Sequence, residues 1–352
     1  MNRSCSPEVF ANNAMPVAAN TSPKVSVIIP SYKTANLIAR CLDTVMAQTF
    51  QDFEAIVVND GSPDTPELEK VLAPYMDRIV YIKQENKRCA GARNTAIKHA
   101  RGEFLAFLDS DDTWYPEHLA SQMQQFTDDP ALDLAYCNSL LVGDPSRESP
   151  FMDRCPSNGP ANFESLVLET CQIPISTVVV RKASILKAGG FDETLPRCDD
   201  YDMWVRTAFH GAKVGYIRKL TVHMYIGRPG SMSQEKARMV ESYWFALERF
   251  KRVLPLSPAQ REVVDRRARE IRTRYLLEEG KRQLDERHFD KARELFAEAN
   301  HNLKAARLTA VLWGLKVAPS ITGRLVSLWS RMLTSMSMAK VGVARMARSQ
   351  ET

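Results

Sequence analysis

No stretch of this 352-residue chain reaches the roughly 18–20 uninterrupted apolar residues of a membrane span, so no segment reads as one that crosses a bilayer. Cys-x-x-Cys pairs are missing too. The seven cysteines (Cys5, Cys41, Cys89, Cys137, Cys155, Cys171 and Cys198) are odd in number and scattered. That excludes a disulfide frame and a zinc site, and reads as reduced thiols in the cytosol. Residues 1–23 lack a continuous apolar core and are expected to be a flexible arm, not a secretory signal. No 34-residue period recurs that would mark a helical repeat array.

What is present is enough hydrophobic content, 44%, for one large or two modest domains. Charge is unevenly spread. Net charge is +5, but residues 236–352 hold 24 Lys/Arg and 13 Asp/Glu and are +11, while the first 235 residues are −6. The two parts therefore suit different partners. A basic, aromatic-poor tail raises nucleic acid as a partner. The helical spacing of its apolar residues points instead to a membrane surface or a solvated face, and no nucleic-acid partner is expected.

Residues 25–29 (Val-Ser-Val-Ile-Ile) read as a strand ended by Pro30. Leu37, Ile38, Cys41, Leu42, Val45 and Met46 form one face of a helix over 34–48, with Thr34 as its cap. A strand over 53–58, the turn Asn59-Asp60-Gly61-Ser62, a helix near 65–73 and a strand near 78–82 follow. Next come a helix over 91–100, a strand over 103–108 and a helix opened by Pro116. Alternating strands and helices, with nearly all-apolar strands, predict an α/β domain with a mainly parallel sheet. Beyond 130 the pattern predicts a loop over 144–160, a strand over 175–180 and a helix over 182–187. An acid-led helix from Asp199, two strands near 213–226 and helices from about 234 complete it. Ligands of parallel α/β sheets sit outside the carboxyl ends of the strands. Pro30-Ser31-Tyr32, the turn after 58 and the acids after 108 all fall at such ends.

The sharpest feature is the run Phe104-Leu105-Ala106-Phe107-Leu108-Asp109-Ser110-Asp111-Asp112, an apolar strand stopping on three acids. Packing does not ask for three carboxylates at a strand tip, since like charges this close repel and their burial is costly. Clustered hard oxygen ligands suit Mg²⁺ or Mn²⁺ sharing a substrate phosphate. A solvated acidic turn is the alternative for this segment alone.

Taken in order, Val27-Ile28-Ile29-Pro30-Ser31-Tyr32, Val58-Asn59-Asp60-Gly61-Ser62, Gly91-Ala92-Arg93-Asn94, Asp109-Ser110-Asp111-Asp112, Gly189-Gly190-Phe191-Asp192-Glu193 and Asp199-Asp200-Tyr201-Asp202-Met203-Trp204 resemble the family 2 glycosyltransferases. The resemblance covers about residues 24–235. It implies the GT-A fold, a nucleotide-sugar-dependent α/β domain with a mainly parallel sheet flanked by helices. It implies inverting transfer of a sugar, from a UDP-sugar, to a glycan or lipid-linked hydroxyl in cell-surface polysaccharide synthesis. On the matching positions, Asp109 and Asp111 would hold Mn²⁺ or Mg²⁺, with Asp112 orienting them. Pro30, Ser31, Tyr32, Asp60, Arg93, Asp109 and Ser110 would contact the nucleotide sugar. Arg93 is placed in the first turn of its helix, where phosphate is favoured. The acidic pair before an aromatic makes Asp200 the catalytic base, with Asp199 where the family usually has Glu. Two departures stand out: Lys33 replaces the Asn that usually follows the Tyr, and Arg228 takes a usual His position before Gly230-Ser231. Arg228 is therefore expected to clamp the diphosphate, with no histidine metal ligand there. Trp204 reads as core and His223 as structural.

After the domain over 24–235 comes an all-helical region, 236–352. Residues 274–300 resemble one tetratricopeptide-type hairpin. Residues 303–347 place Leu308, Val311, Leu312, Leu315, Ile321, Leu325, Leu328, Trp329, Met332 and Leu333 among Lys316, Arg324, Arg331 and Lys340. These basic amphipathic helices read either as a peripheral membrane contact at the cytoplasmic face or as a hairpin packed on the protein. A catalytically inactive nucleotide-sugar-binding or scaffold protein is the alternative to an enzyme.

Overall fold

The computed structural model describes residues 7–11, 22–143, 148–228 and 236–326. The chain divides into two compact units that part between Arg228 and Pro229. The first runs β1 (Glu8–Ala11), β2 (Val25–Ser31), α1 (Ile38–Met46), β3 (Phe53–Asp60), α2 (Thr65–Leu72), β4 (Val80–Gln84), α3 (Arg88–His99) and β5 (Phe104–Phe107). It continues with β6 (Thr113–Trp114), α4 (His118–Asp128), β7 (Leu134–Val142), β8 (Ser149–Pro150), α5 (Phe163–Val167), β9 (Val179–Arg181), α6 (Lys182–Lys187), α7 (Asp199–Phe209) and β10 (Val214–Tyr225). One sheet has the order β1-β4-β3-β2-β5-β9-β7-β10-β6, with β8 paired to β7. Strands β4, β3, β2 and β5 are mutually parallel, as are β7 and β10. Strand β9 runs antiparallel between β5 and β7, and β1 and β6 are antiparallel at the two edges.

The strands are apolar because both faces are covered. Every residue of β2 and β3 is buried. Val25, Val27, Ile29, Ala55 and Val57 join Ile38, Cys41, Leu42 and Val45 of α1 and Leu68 and Leu72 of α2 in one cluster. The alternate residues Ile28, Ile56 and Val58 point to the other face, where α3 covers β2 and β3. Each such side chain contributes about 1.5–3 kcal/mol relative to exposure. Register fixes the rim: Ser31 lies opposite Asn59, Asp60 opposite Gln84, and Ile28 opposite Phe107. The carboxyl ends of four strands thus share one edge of the sheet.

Several expectations are corrected. Pro30 does not end its strand: β2 continues to Ser31, with Pro30 opposite Val58. The Ile28 carbonyl accepts from Leu108 N, on the β5 side, and Pro30, two residues on, faces that same side beyond the end of β5. Its missing N–H therefore leaves no ladder bond unmade. Residues 8–11 of the expected arm form β1 against β4; residues 1–6 and 12–21 lie outside the described residues. Helix α1 begins at Ile38 with no side-chain cap, and α3 begins at Arg88. The strand expected over 175–180 is a 3₁₀ turn, Ile175–Thr177, leading into β9. The two strands expected near 213–226 are one, β10, whose register against β7 shifts between Ile217 and Val222.

The second unit stacks α8 (Lys236–Val253), α9 (Pro258–Asp285), α10 (Phe289–Leu303) and α11 (Ala306–Val317) in sequence. Ser257 and Gln260 cap the start of α9 reciprocally, with Pro258 at its first position. The first arm of the expected 274–300 hairpin is the end of this 28-residue helix, and the second is α10. Leu308, Val311, Leu312 and Leu315 pack on Leu284, Ala292 and Phe296. These four are internal packing, not a free amphipathic face. Residues 327–347 of the expected basic helices lie outside the described residues. Among the described residues, no helix is long and apolar enough to cross a membrane.

Candidate active site

The acidic turn follows β5 directly and is closed by a bond from Asp112 N to the Asp109 carbonyl. Carboxylate oxygens of Asp109, Asp111 and Asp112 lie within 4.8 Å of one another. Asp112 is buried and both its oxygens are engaged: Ser176 Oγ donates to Oδ2 at 2.6 Å and Tyr225 N to Oδ1 at 3.0 Å. Burial first, then the charges of Asp111 and Asp109, push its carboxyl well above the usual range. Asp111 is raised by burial and by Asp109, against the pull of Arg228, whose Nη2 lies 3.2 Å from Asp111 Oδ2. A cluster that raises its own carboxyl pKa values has too little positive charge around it, and a divalent cation fits that deficit. Asp112 is pinned from both sides, whereas the Asp109 and Asp111 side chains remain partly exposed.

Hydroxyls tie the tips of β2 and β5 together. Ser110 Oγ donates to Thr34 Oγ1 at 3.0 Å, and Thr34 Oγ1 and Ser31 Oγ are 2.9 Å apart. Thr34, expected to cap α1, serves this chain instead. Pro30, Ser31 and Ser110 are buried, so of the expected nucleotide lip it is Tyr32 whose side chain is open to solvent. Lys33, which stands in place of the usual Asn, holds φ +57° and donates its N–H to Ser62 Oγ at 2.7 Å. Asn tolerates that left-handed backbone better than Lys.

Asp60 ends β3 and is buried, its Oδ1 accepting from Gln84 Nε2 at 2.7 Å and Lys87 N at 2.8 Å. Burial raises its carboxyl despite these donors. Gly61, at φ +63°, leaves no room for a Cβ, which would lie 2.7 Å from Asn86 N.

Arg93 is neither a surface residue nor in a first turn. With α3 starting at Arg88 it sits in the second turn, 3% exposed. Its Nη2 reaches Asp109 Oδ1 at 2.7 Å and its Nη1 reaches Asp199 Oδ2 at 2.5 Å. The guanidinium expected against a phosphate thus joins the strand-tip acids to the acids that open α7. The neighbouring Asn94 completes the clasp. Its Nδ2 donates to the Phe191 carbonyl at 2.8 Å and to Glu193 Oε1 at 2.9 Å, and its Oδ1 accepts from Phe191 N at 2.9 Å.

At the start of α7, Cys198 holds φ +58°, a sparsely populated backbone for a residue with a Cβ. The three acids then separate. Asp199 is paired with Arg93 and Asp202 with Arg206. Among the described residues Asp200 forms no ion pair; Tyr201 N donates to its Oδ1 at 2.8 Å. Burial, then the Asp199 charge, push its carboxyl up to about 6, with Arg93 pulling the other way. Trp204 is core, edge-on to Phe107 and Phe191. His223 Nε2 pairs with the Tyr115 hydroxyl at 2.9 Å.

Residues 26–176 match the family described as glycosyl transferase family 2. They resemble a family 2 glycosyltransferase domain. An uncharacterized glycosyltransferase of Rickettsia typhi is 34% identical over 188 residues, 53% of this chain and 58% of that one. The chain therefore spans little more than half the length of that relative. Two solved structures share the GT-A fold. S. aureus TarS 1–349, in complex with UDP-GlcNAc, matches with a TM-score of 0.58 at 17% identity over 88% of this chain and 92% of its own. The mannosyltransferase PcManGT of Pyrobaculum calidifontis, in complex with GDP-Man and Mn²⁺, matches with a TM-score of 0.58 at 19% identity over 88% of each chain.

Two contributors to this site were invisible in the sequence. Ser176 lies on a turn that read as a plain apolar strand. Arg40, on α1, stacks 3.6 Å from the Tyr225 ring and donates to the Asp111 carbonyl at 3.0 Å. Neither stands in a motif; only the fold brings them to the acids.

Proposed function

We propose that the chain is a metal-dependent, inverting glycosyltransferase that moves a sugar from a nucleoside-diphosphate sugar, a UDP-sugar, to a hydroxyl of a glycan or lipid-linked acceptor. Its setting would be cell-surface polysaccharide synthesis at the cytoplasmic face. The observation that carries this reading is the double ion pair of Arg93, which sets the strand-tip acids and the α7 acids in one rigid frame. A transferase needs its leaving-group site and its acceptor base at a fixed separation.

Asp109 and Asp111 would hold Mn²⁺ or Mg²⁺, which when bound neutralises charge on the departing diphosphate. Asp60 and Tyr32, at the tips of β3 and β2, would contact the nucleoside, and Arg228 would clamp the diphosphate. Asp200, raised towards neutrality, would accept the acceptor hydroxyl's proton. The hydroxyl oxygen forms its bond to the anomeric carbon as the bond to the diphosphate oxygen breaks, and the diphosphate leaves with that electron pair. The nucleotide sugars named for TarS and PcManGT support the donor class, and the Mn²⁺ named for PcManGT supports the ion.

The test is binding and nucleotide release for a panel of UDP-, GDP- and dTDP-sugars with Mn²⁺, Mg²⁺ or EDTA. One donor is expected to turn over only with metal. Asp111→Ala should lose metal-dependent binding, whereas Asp200→Asn should keep binding and lose about a hundredfold or more of turnover. Absence of binding for every donor would overturn the reading in favour of a scaffold.

A further inference from the structure

The last described helices carry two apolar faces. The inward one is accounted for. Leu308, Val311, Leu312 and Leu315 pack in the core of the helical unit, a Cβ on Gly323 would lie 2.9 Å from the Phe289 ring, and Gly314 abuts Thr322. Among the described residues, the outward one is not. Trp313 and Val317 on α11, and Ile321 and Leu325 past the helix break at Ala318, are 61–69% exposed. Large apolar side chains gathered on a surface mark a contact site.

Charge says what kind of contact. Lys304, Arg307, Lys316 and Arg324 are exposed in the same stretch. No Asp or Glu occurs between Glu298 and Glu351. Earlier in the unit the cations are neutralised, as in Arg267–Glu270, Arg282–Glu279 and Lys291–Glu294. Here, among the described residues, the four form no ion pair. A protein groove lined with apolar side chains would leave these cations unanswered, and a nucleic acid would leave Trp313 and its neighbours in water. An anionic lipid surface answers both, with phosphates for the cations and the headgroup–acyl boundary for the indole and aliphatic side chains.

We infer that the exposed side chains of Trp313, Val317, Ile321 and Leu325, interleaved with Lys316 and Arg324, dock the protein on an anionic lipid surface. Of the residues the sequence pattern selects, Leu308, Val311, Leu312 and Leu315 are taken by the core, whereas Ile321, Leu325, Lys316 and Arg324 stay exposed and are joined by Trp313 and Val317. The inference is independent of the donor chemistry.

The experiment is co-sedimentation of the full chain with phosphatidylcholine vesicles, with and without phosphatidylglycerol, at low and high salt. Two variants accompany it: Trp313→Ser/Ile321→Ser/Leu325→Ser and Lys316→Glu/Arg324→Glu. All five positions are exposed, and unchanged melting confirms that the core is intact. Binding is expected on phosphatidylglycerol vesicles and should weaken with salt. The serine variant should bind at least about tenfold more weakly. The charge variant should lose about fivefold per cation removed on anionic vesicles, and bind neutral ones as the unmodified chain does. Failure of the unmodified chain to bind anionic vesicles overturns the inference, as does serine-variant binding equal to its own. A serine variant that shifts the protein from oligomer to monomer, with vesicle binding unaffected, assigns the face to a second copy and also overturns it.

Discussion

Arg93 answers two carboxylates that approach it from different parts of the chain, and its removal should be felt in both. Breaking a buried ion pair by deleting one partner leaves an uncompensated charge and costs about 3–5 kcal/mol. Arg93→Met is therefore expected to unfold at markedly lower denaturant concentration and to have reduced but measurable activity, whereas Asp202→Asn should destabilise through Arg206 with little effect on pH dependence. Asp200 adds a signature in pH. Its carboxyl sits at about 6, above the roughly 3.9 of an unfolded aspartate. Log kcat/KM should rise by one per pH unit up to about 6 and level off above it. In Arg93→Met the break should move to higher pH, because the guanidinium holds the carboxyl down. The raised value means that the folded state binds more protons than the unfolded state between roughly pH 4 and 6, so Asp200 lowers stability as pH rises through that window. Asp200→Asn should accordingly melt above the unmodified chain at pH 7, with the gap closing by pH 4, although its turnover is expected to be lost.

The elements bring these residues together through two motifs that face each other, Arg93-Asn94 on α3 and the turn 189–193. Gly190, at φ +74°, would put a Cβ 3.1 Å from Asn94 Oδ1. Gly190→Ala should cost about 1–3 kcal/mol through backbone strain and lower activity by loosening the start of α7. Urea unfolding and steady-state kinetics check both. The strands and the acidic tip of β5 were legible in the sequence because burial on two faces leaves an almost uninterrupted apolar run, and a charge that interrupts it is conspicuous. Element starts were less legible. Arg88 opens α3 with a positive φ and no side-chain cap, and α1 starts without one, so nothing local announces either. Strand β10 read as two because its bulge admits the exposed Arg218 and Lys219. The roles of Thr34, Ser176 and Arg40 depend on which strand tips lie side by side, which register settles and composition does not.

At the scale of the whole molecule, each unit has its own core. Phe296 fills the space that Gly280 leaves open, where a Cβ would come within 2.5 Å of its ring. Phe296→Ala should cost the helical unit about 3–5 kcal/mol. Calorimetry is expected to show one transition moving down while the transition of the sheet-containing unit stays in place. At the other end of the chain, the short strand β1 occupies the flank of β4 that would otherwise present bare N–H and C=O groups. A boundary drawn at residue 24, where the apolar pattern begins, would strip that cover from Val-Tyr-Ile-Lys-Gln and leave a template for a neighbouring molecule to pair with. A chain lacking its first 22 residues is expected to keep its donor chemistry yet scatter light and self-associate as its concentration rises. Strand β1 then acts as a guard against self-association, and shortening the chain for convenience would trade that guard for an open sheet edge.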